Sequence, residues 1–410
     1  MRTIVLVSSG QPSLNPRLVK EADILISAGY EVFVIYQYWN DWGTTADEKL
    51  LKSKQWRAHR AGGAPTSQKA TYLLNRIIQK VALKCCKLGL FAFAEFALAR
   101  SYYFLIREAK KIKADLYIAH NLGALPVAVR AAKLNHAKVG FDAEDFHRYE
   151  TSDSDANFDV RLKKYIENKY FKHLDYLTAA SPLIGAHYNQ LFPDLEPTVI
   201  LNAFSRSFNP EPATVENAPI KLFWFSQTIG TNRGIQDIIK ALSLIDFKQY
   251  ELHLLGALPK SVKQQFDTLI DSLFRETLPT IIFHDCIPEE QLLREVSNYD
   301  LGFAIEPGFS LNNKIALSNK IFSYINGGIA IIYSNTPGQK EFYEKFPASG
   351  SIYDPGDFKK LAELLKYYHN HKDVLLKQKL HNYKLGQHKL NWEVEGDKFL
   401  TVISSQFLQI

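Results

Sequence analysis

Two sets of residues in this 410-residue chain have types and spacings that invite chemistry. The first is a set of cations at helix starts. Lys320 falls in the first turn of a short helical pattern that Ser318 or Asn319 can cap and that Gly327-Gly328 ends. A helix N-terminus carries unpaired N–H groups and about half a positive charge, so it favours carboxylates and anions. A lysine there runs against the dipole, unless an anion such as a diphosphate lies between the two. The plain alternative is a surface lysine. Arg233 stands just before Gly234, where another helical pattern opens behind the polar loop 226–233, which also holds Gln227 and Gly230. Arg17 follows Pro16 at a third helix start, behind a loop containing Gly10 and Asn15. It either meets an anion or is simply solvated. The second set is Asp142, Glu144, Asp145 and His147, directly after the strand pattern 138–141. His120 and Asn121 close the preceding strand pattern 115–119. Carboxylates and histidines packed this closely suit a general base or an acceptor hydroxyl site. The alternative is a helix N-terminus decorated with acids.

These groups need elements to hold them. Residues 3–7 read as a buried strand, 18–28 as a helix capped by Gly29, and 31–36 as a second strand, a unit that opens doubly wound domains. The loop between them is not a G-x-G-x-x-G fingerprint, so a dinucleotide is not indicated. Further strand patterns fall at 175–179 and 199–201. The segment 205–219 is polar, holds three prolines and reads as a linker. Strand patterns then resume at 220–225, 251–255, 280–283, 301–305 and 329–333, with a last amphipathic helix at 392–406. The chain is too long for one ordinary core. The expectation is an α/β protein of two doubly wound, Rossmann-like domains facing across a cleft: 1–204, the linker 205–219, and 220–388, with 389–410 as a terminal helix. Arg233 and Lys320 share the second half, which strengthens the diphosphate reading.

The net charge of +6 and pI near 8.9 favour anionic partners. Between 69 and 113 the helical patterns are basic. Arg76, Lys80, Lys84 and Lys87 share one face, beside an apolar stripe of Leu73, Ile77, Val81 and Leu88. That pairing suits a helix lying on anionic lipid, or a helix whose stripe faces a core. No apolar run reaches the roughly 18 residues that span a bilayer. Cys85, Cys86 and Cys286 give neither a disulfide framework nor metal-ligand spacing. The N-terminus opens on the first strand without a signal-peptide pattern. The expected location is the cytoplasm, peripherally on the inner face of the cell membrane. Without an aromatic-interleaved basic patch, nucleic acid is not an expected partner.

In this order and spacing, WFSQTIGTNRG, SNKIFSYINGGIAIIYS, PGQKEF and GSIYDPGD, with the opening SLNPRLVKEADILISAGYEVFVI, resemble the GT-B-fold retaining glycosyltransferases of family 4 (glycosyl transferases group 1). The resemblance covers nearly the whole chain. It implies a nucleotide-diphosphate sugar on the C-terminal domain and a glycan or lipid-linked glycan acceptor on the N-terminal domain. It also implies transfer with retention, no metal or other cofactor, a role in polysaccharide synthesis, and a C-terminal helix packed on the N-terminal domain. Arg233, ahead of Gly234, matches a diphosphate contact, while Gln227 stands where many members carry arginine. Gly338 and Glu341 match a Gly-x-x-Glu after the last core strand. The family's histidine or acid after the fourth strand falls at Asp142, Glu144 or Asp145. Asn319-Lys320 resembles a variant opening of this helix. The chain departs from the family's two glutamates separated by seven residues, which fall here on Ile315 and Ser323. Glu306 replaces the first by position only. The resulting mechanism is front-face transfer, with Arg233, Lys320 and the helix amides near Ser318 on the leaving diphosphate. Two rival readings are a nucleotide-sugar epimerase on the same architecture and a catalytically weak, glycosyltransferase-like binding subunit.

Overall fold

Uninterrupted apolar runs become strands here because a parallel sheet covered on both faces leaves no solvent side for polar residues. The computed structural model describes residues 1–212 and 219–408. Thr3–Ser8 (β1), Glu31–Gln37 (β2), Arg57–Ala61 (β3), Leu116–His120 (β4), Lys138–Ala143 (β5), Tyr176–Ala179 (β6) and Thr198–Val199 (β7) form one sheet, ordered β3-β2-β1-β4-β5-β6-β7. Ile220–Thr228 (β8), Tyr250–Ala257 (β9), Thr280–His284 (β10), Leu301–Ala304 (β11), Ala330–Ser334 (β12) and Gly350–Tyr353 (β13) form the other, ordered β10-β9-β8-β11-β12-β13. The pairings between these strands are parallel. The expected doubly wound α/β class is therefore the observed one. Strand order reverses between β1 and β4 and between β8 and β11. At such switch points a crevice opens beyond the carboxyl ends of the strands.

The chain divides into two compact units. Unit 1 comprises Met1–Leu201, Ser310–Asn312 and Gly396–Ile410; unit 2 comprises Asn202–Phe309 and Asn313–Glu395. In unit 1, Ile4, Val5, Leu6 and Val7 of β1 are fully buried, and Leu18, Ala22 and Leu25 of the helix Pro16–Ser27 are buried as well. In unit 2, Leu222, Trp224, Leu254, Phe303 and Ile332 pack with Ile235, Ile238 and Ile239 of the helix Ile235–Leu242. Each buried Val, Leu, Ile or Phe among these contributes about 1.5–3 kcal/mol of hydrophobic free energy. The division falls inside the helix Trp392–Ser405. Its first residues stay with unit 2, where the Trp392 amide donates to the Phe204 carbonyl at 2.8 Å. Beyond it, Phe407 packs in unit 1 against Tyr30 and beneath the Arg2 guanidinium, which lies 4.0 Å from the ring centroid.

Three segments bear on the sequence reading. β3 reads RAHRA and carries no apolar run; as the edge strand it is mostly exposed, so pairing with β2 rather than burial defines it. Of the segment expected as a linker, residues 213–218 lie outside the described residues, and 205–212 are tied into unit 2. There Asn326 Nδ2 donates to the Ser205 carbonyl at 2.7 Å, and Gln387 Nε2 donates to that of Ser207 at 2.9 Å. The helix Lys69–Lys87 buries only Asn75, Ala82 and Cys86. Its stripe of Leu73, Ile77, Val81 and Leu88 is exposed, alongside exposed Lys80, Lys84 and Lys87. The core-facing alternative for that stripe is thereby excluded. No helix among the described residues is long and apolar enough to cross a membrane.

Candidate functional site

In unit 2 the candidate residues gather at the carboxyl ends of β8 and β11. Gly234 precedes the helix Ile235–Leu242 with φ +78°. A Cβ there would lie 3.1 Å from Ile305 Cδ1, so glycine allows the turn after β8 to lie against the end of β11. This turn carries Arg233, which is half-buried and makes no side-chain hydrogen bond or ion pair among the described residues. Gln227 is exposed, and its carbonyl accepts from the Cys286 thiol at 3.4 Å. Gly230 is half-buried within the same loop.

Lys320 differs from expectation. It opens the helix Asn319–Gly327, but Glu306 supplies its counter-charge at 3.1 Å. Ser318 at the N-cap donates its hydroxyl to Glu306 Oε1 at 3.0 Å instead of capping the helix, and Asn313 Nδ2 donates to Oε2 at 3.1 Å. Burial opposes ionisation of Glu306, yet Lys320 and the hydrogen bonds from Asn313, Lys320 and Ser318 outweigh it and hold the carboxyl below its usual range. The Lys320 ammonium also lies 5.5 Å from the Trp224 ring centroid. The lysine's conflict with the helix dipole is thus offset inside the protein. Among the described residues, Arg233 in the neighbouring turn has no such counter-charge.

The remaining unit 2 candidates take varied places. Asn319 Oδ1 accepts from Asn202 Nδ2 at 3.1 Å. Ser323 is buried, and its hydroxyl lies 3.4 Å from the Asn319 carbonyl one helical turn back. A Cβ on Gly338 would stand 2.5 Å from the Ile315 carbonyl oxygen, so this glycine serves close packing. Glu341 is exposed, without a side-chain hydrogen bond or ion pair among the described residues.

In unit 1 the parallel register sets Ser8, His120, Asp142 and Thr178 side by side at the carboxyl edge of β1, β4, β5 and β6. Helix residues complete a charged cluster. Arg17 grips Asp142 with two contacts, Nε–Oδ2 at 2.6 Å and Nη2–Oδ1 at 2.7 Å, and donates through Nη1 to the Ile200 carbonyl at 2.5 Å. Thr178 donates to Asp142 Oδ1 at 2.6 Å. Glu21, one helical turn after Arg17, lies 3.4 Å from its Nε and 3.1 Å from His120 Nε2. His120 Nδ1 lies 3.6 Å from Asp142 and 3.8 Å from Glu144. The side chains of Arg17, Glu21, His120 and Asp142 are fully buried, while that of Glu144 is 25% exposed.

This arrangement differs from a solvated Arg17 and an open acid–histidine cluster. The Arg17 charge is matched by Asp142 and Glu21 inside the unit. His120 and Asp142 are fully buried. Burial opposes the His120 charge, but Glu21, Glu144 and Asp142 outweigh it and push the imidazole pKa up to about 10. Burial, with Asp142 nearby, pushes the Glu21 carboxyl up against the pull of His120 and Arg17. Glu144 is held low despite burial, by His120 first and then by Arg17 and Asn15. Glu21 escaped the sequence reading; its spacing of four from Arg17 on a helix was the available signal.

Around the cluster, Asn15 caps the helix Pro16–Ser27 by accepting from the Leu18 amide at 3.0 Å. Asn121 takes a left-handed conformation, φ 67°, and accepts from the Ser8 hydroxyl at 3.1 Å; the Gly10 amide donates to that same hydroxyl at 3.0 Å. Asp145 accepts from Asn312 Nδ2 at 2.8 Å, and burial raises its carboxyl pKa. His147 is buried, with Nδ1 3.6 Å from Glu150. Among the described residues His120, Asp142 and Glu144 bring metal-binding atom types within 4.8 Å of one another. A cation entering there would have to displace the Arg17 guanidinium from Asp142, so the trio does not fit a metal.

No family profile matches this sequence, and no curated protein does. Solved structures do resemble it. HepE from Anabaena, solved in complex with UDP, superposes with a TM-score of 0.69 at 14% identity, over 99% of this chain and 100% of that one. Sucrose-phosphate synthase from Thermosynechococcus elongatus gives 0.72 at 13% identity over 100% of both chains. A glycosyltransferase from Rickettsia africae gives 0.69 at 14% identity over 100% of both. At these identities the likeness establishes the fold, the GT-B architecture.

Proposed function

We propose that this chain is a retaining glycosyltransferase of the family 4 kind. It moves a sugar from a nucleotide-diphosphate sugar to a hydroxyl of a glycan or lipid-linked glycan in polysaccharide synthesis. The carrying observation is Arg233: a half-buried cation with no counter-ion among the described residues, in the turn after β8 at the switch point of unit 2. A cation so placed suits a ligand phosphate. The amides that open the helix Asn319–Gly327 add donors for the same anion. As the diphosphate leaves, these groups meet its developing charge, without a metal, while Glu144 orients the acceptor hydroxyl. HepE was solved with UDP and with UDP-glucose, a precedent for such donors on this fold. The exposed apolar and basic faces of the helix Lys69–Lys87 support a peripheral position on an anionic membrane.

The test is calorimetric titration of the full chain with a panel of nucleotide sugars, followed by nucleotide release with and without acceptor. Arg233→Ala should weaken donor binding about 10- to 100-fold, as expected for one lost charge-assisted contact. Lys320→Ala should weaken it too, partly by leaving Glu306 unpaired. Binding of no nucleotide, or normal donor affinity in both variants, would refute the reading. Release that needs no acceptor would favour a hydrolase or epimerase instead.

A further inference from the structure

We propose that Glu21 and His120 form a positioning pair that holds Glu144 ionised and oriented, making Glu144 the working carboxylate of unit 1. The role of Glu144 rests on the glycosyltransferase reading above; the Glu21–His120 pairing does not.

The argument is one of elimination and geometry. Five ionisable groups after β5 and β4 were candidates for meeting an acceptor: His120, Asp142, Glu144, Asp145 and His147. Asp142 is fully buried and occupied by two Arg17 nitrogens and the Thr178 hydroxyl. His120 is fully buried. Asp145 is engaged by Asn312, and the buried His147 ring is turned to Glu150. Glu144 alone combines partial exposure with membership of the charged cluster.

The His120 ring is addressed on both sides. Glu21 stands at Nε2, 3.1 Å away, while Asp142 and Glu144 stand at Nδ1, 3.6 and 3.8 Å away. A ring with carboxylates on both nitrogens is favoured as the doubly protonated imidazolium, and neither nitrogen can exchange places without losing a partner. The other charged or titratable groups around it are Arg17, on the same helix as Glu21, and Tyr176 on β6, which faces Glu21 and Asp142. Arg17 is already matched by Asp142. The positive charge next to Glu144 is therefore that of His120, and Glu21 is what keeps it there. Loss of Glu21 returns His120 toward a neutral ring and leaves Glu144 without its nearest cation.

Two measurements on the full chain test this, using Glu21→Gln, which keeps the side-chain volume, and Glu21→Asp, which keeps the charge but shortens the reach. The first is an NMR titration of isotope-labelled histidines, with His120 assigned from its loss in His120→Gln. The wild-type ring should remain an imidazolium to at least pH 9. In Glu21→Gln its transition should fall by more than one pH unit, with Glu21→Asp between the two. An unchanged transition in both variants overturns the pairing. The second is the pH profile of kcat/KM. Its acid limb should move upward in Glu21→Gln, whereas a merely structural defect lowers the whole profile without moving it; an unmoved limb overturns the link to Glu144. Absence of sugar transfer by the wild type overturns the preceding functional reading and the role of Glu144 with it, while the ring titration still decides the pairing.

Discussion

Replacing Arg17 by methionine separates a buried structural cation from a ligand-binding one. The substitution keeps much of the aliphatic volume and removes the guanidinium. Lost with it are two contacts to Asp142, one hydrogen bond to the Ile200 carbonyl and one ion contact to Glu21. Asp142 then remains fully buried, with the Thr178 hydroxyl and a more distant His120 as its partners. Removing one partner of a buried ion pair costs about 3–5 kcal/mol, mostly the penalty of the charge left behind. A solvated arginine at a helix start would cost no more than about 0.5 kcal/mol. The two expectations differ enough for urea unfolding to decide, and hydrogen exchange of peptides from β4 and β5 confines the readout to unit 1. The double variant Arg17→Met/Asp142→Asn removes the stranded charge, so it should recover about 2 kcal/mol relative to the sum of the single losses. A single-variant loss below about 1 kcal/mol, or strict additivity in the double variant, would refute the buried-pair reasoning.

Two other outcomes follow from the same structure. His120 is raised from 6.5 to about 10, so its stabilising contribution is complete below the unfolded pKa and is lost as pH rises through the folded one. Between those limits the folded state holds one extra proton, and stability should fall by roughly 1.4 kcal/mol per pH unit between about pH 7 and pH 9.5. Unfolding midpoints across that range check it, and the same slope persisting in His120→Gln would remove His120 as its source. Binding to vesicles containing anionic lipid should be salt-sensitive and should weaken strongly when Arg76, Lys80, Lys84 and Lys87 are all changed to glutamine, since each basic residue near such a surface contributes about 1 kcal/mol. Equal sedimentation with wild-type and quadruple-variant protein would reject that face.

Some of the protein was legible from local pattern. The interior strands β1, β4 and β12 hold continuous apolar runs at 4–7, 116–119 and 330–333, because strands buried on both faces are apolar over most of their length. Gly234 and Arg233 were visible as a turn with a cation, since a glycine ahead of a helix is a local backbone signal. β3 was not visible, because an edge strand is made by its neighbour and needs no apolar run. Pairings distant in the chain were also out of reach. Arg17 and Asp142 lie 125 positions apart, and nothing near either residue says that the two meet. Only the order of the strands sets the end of β5 beside that of β4, within reach of the first helix. The same holds for Lys320: its place in the first helical turn was readable, but Glu306, which neutralises it, arrives from the end of β11. Local sequence thus determined the elements and the types of charge at their ends. The tertiary structure decided which charges cancel inside the protein and which, like that of Arg233, meet no counter-ion among the described residues. A charge is free or spent according to its neighbours in space, and the sheets choose those neighbours.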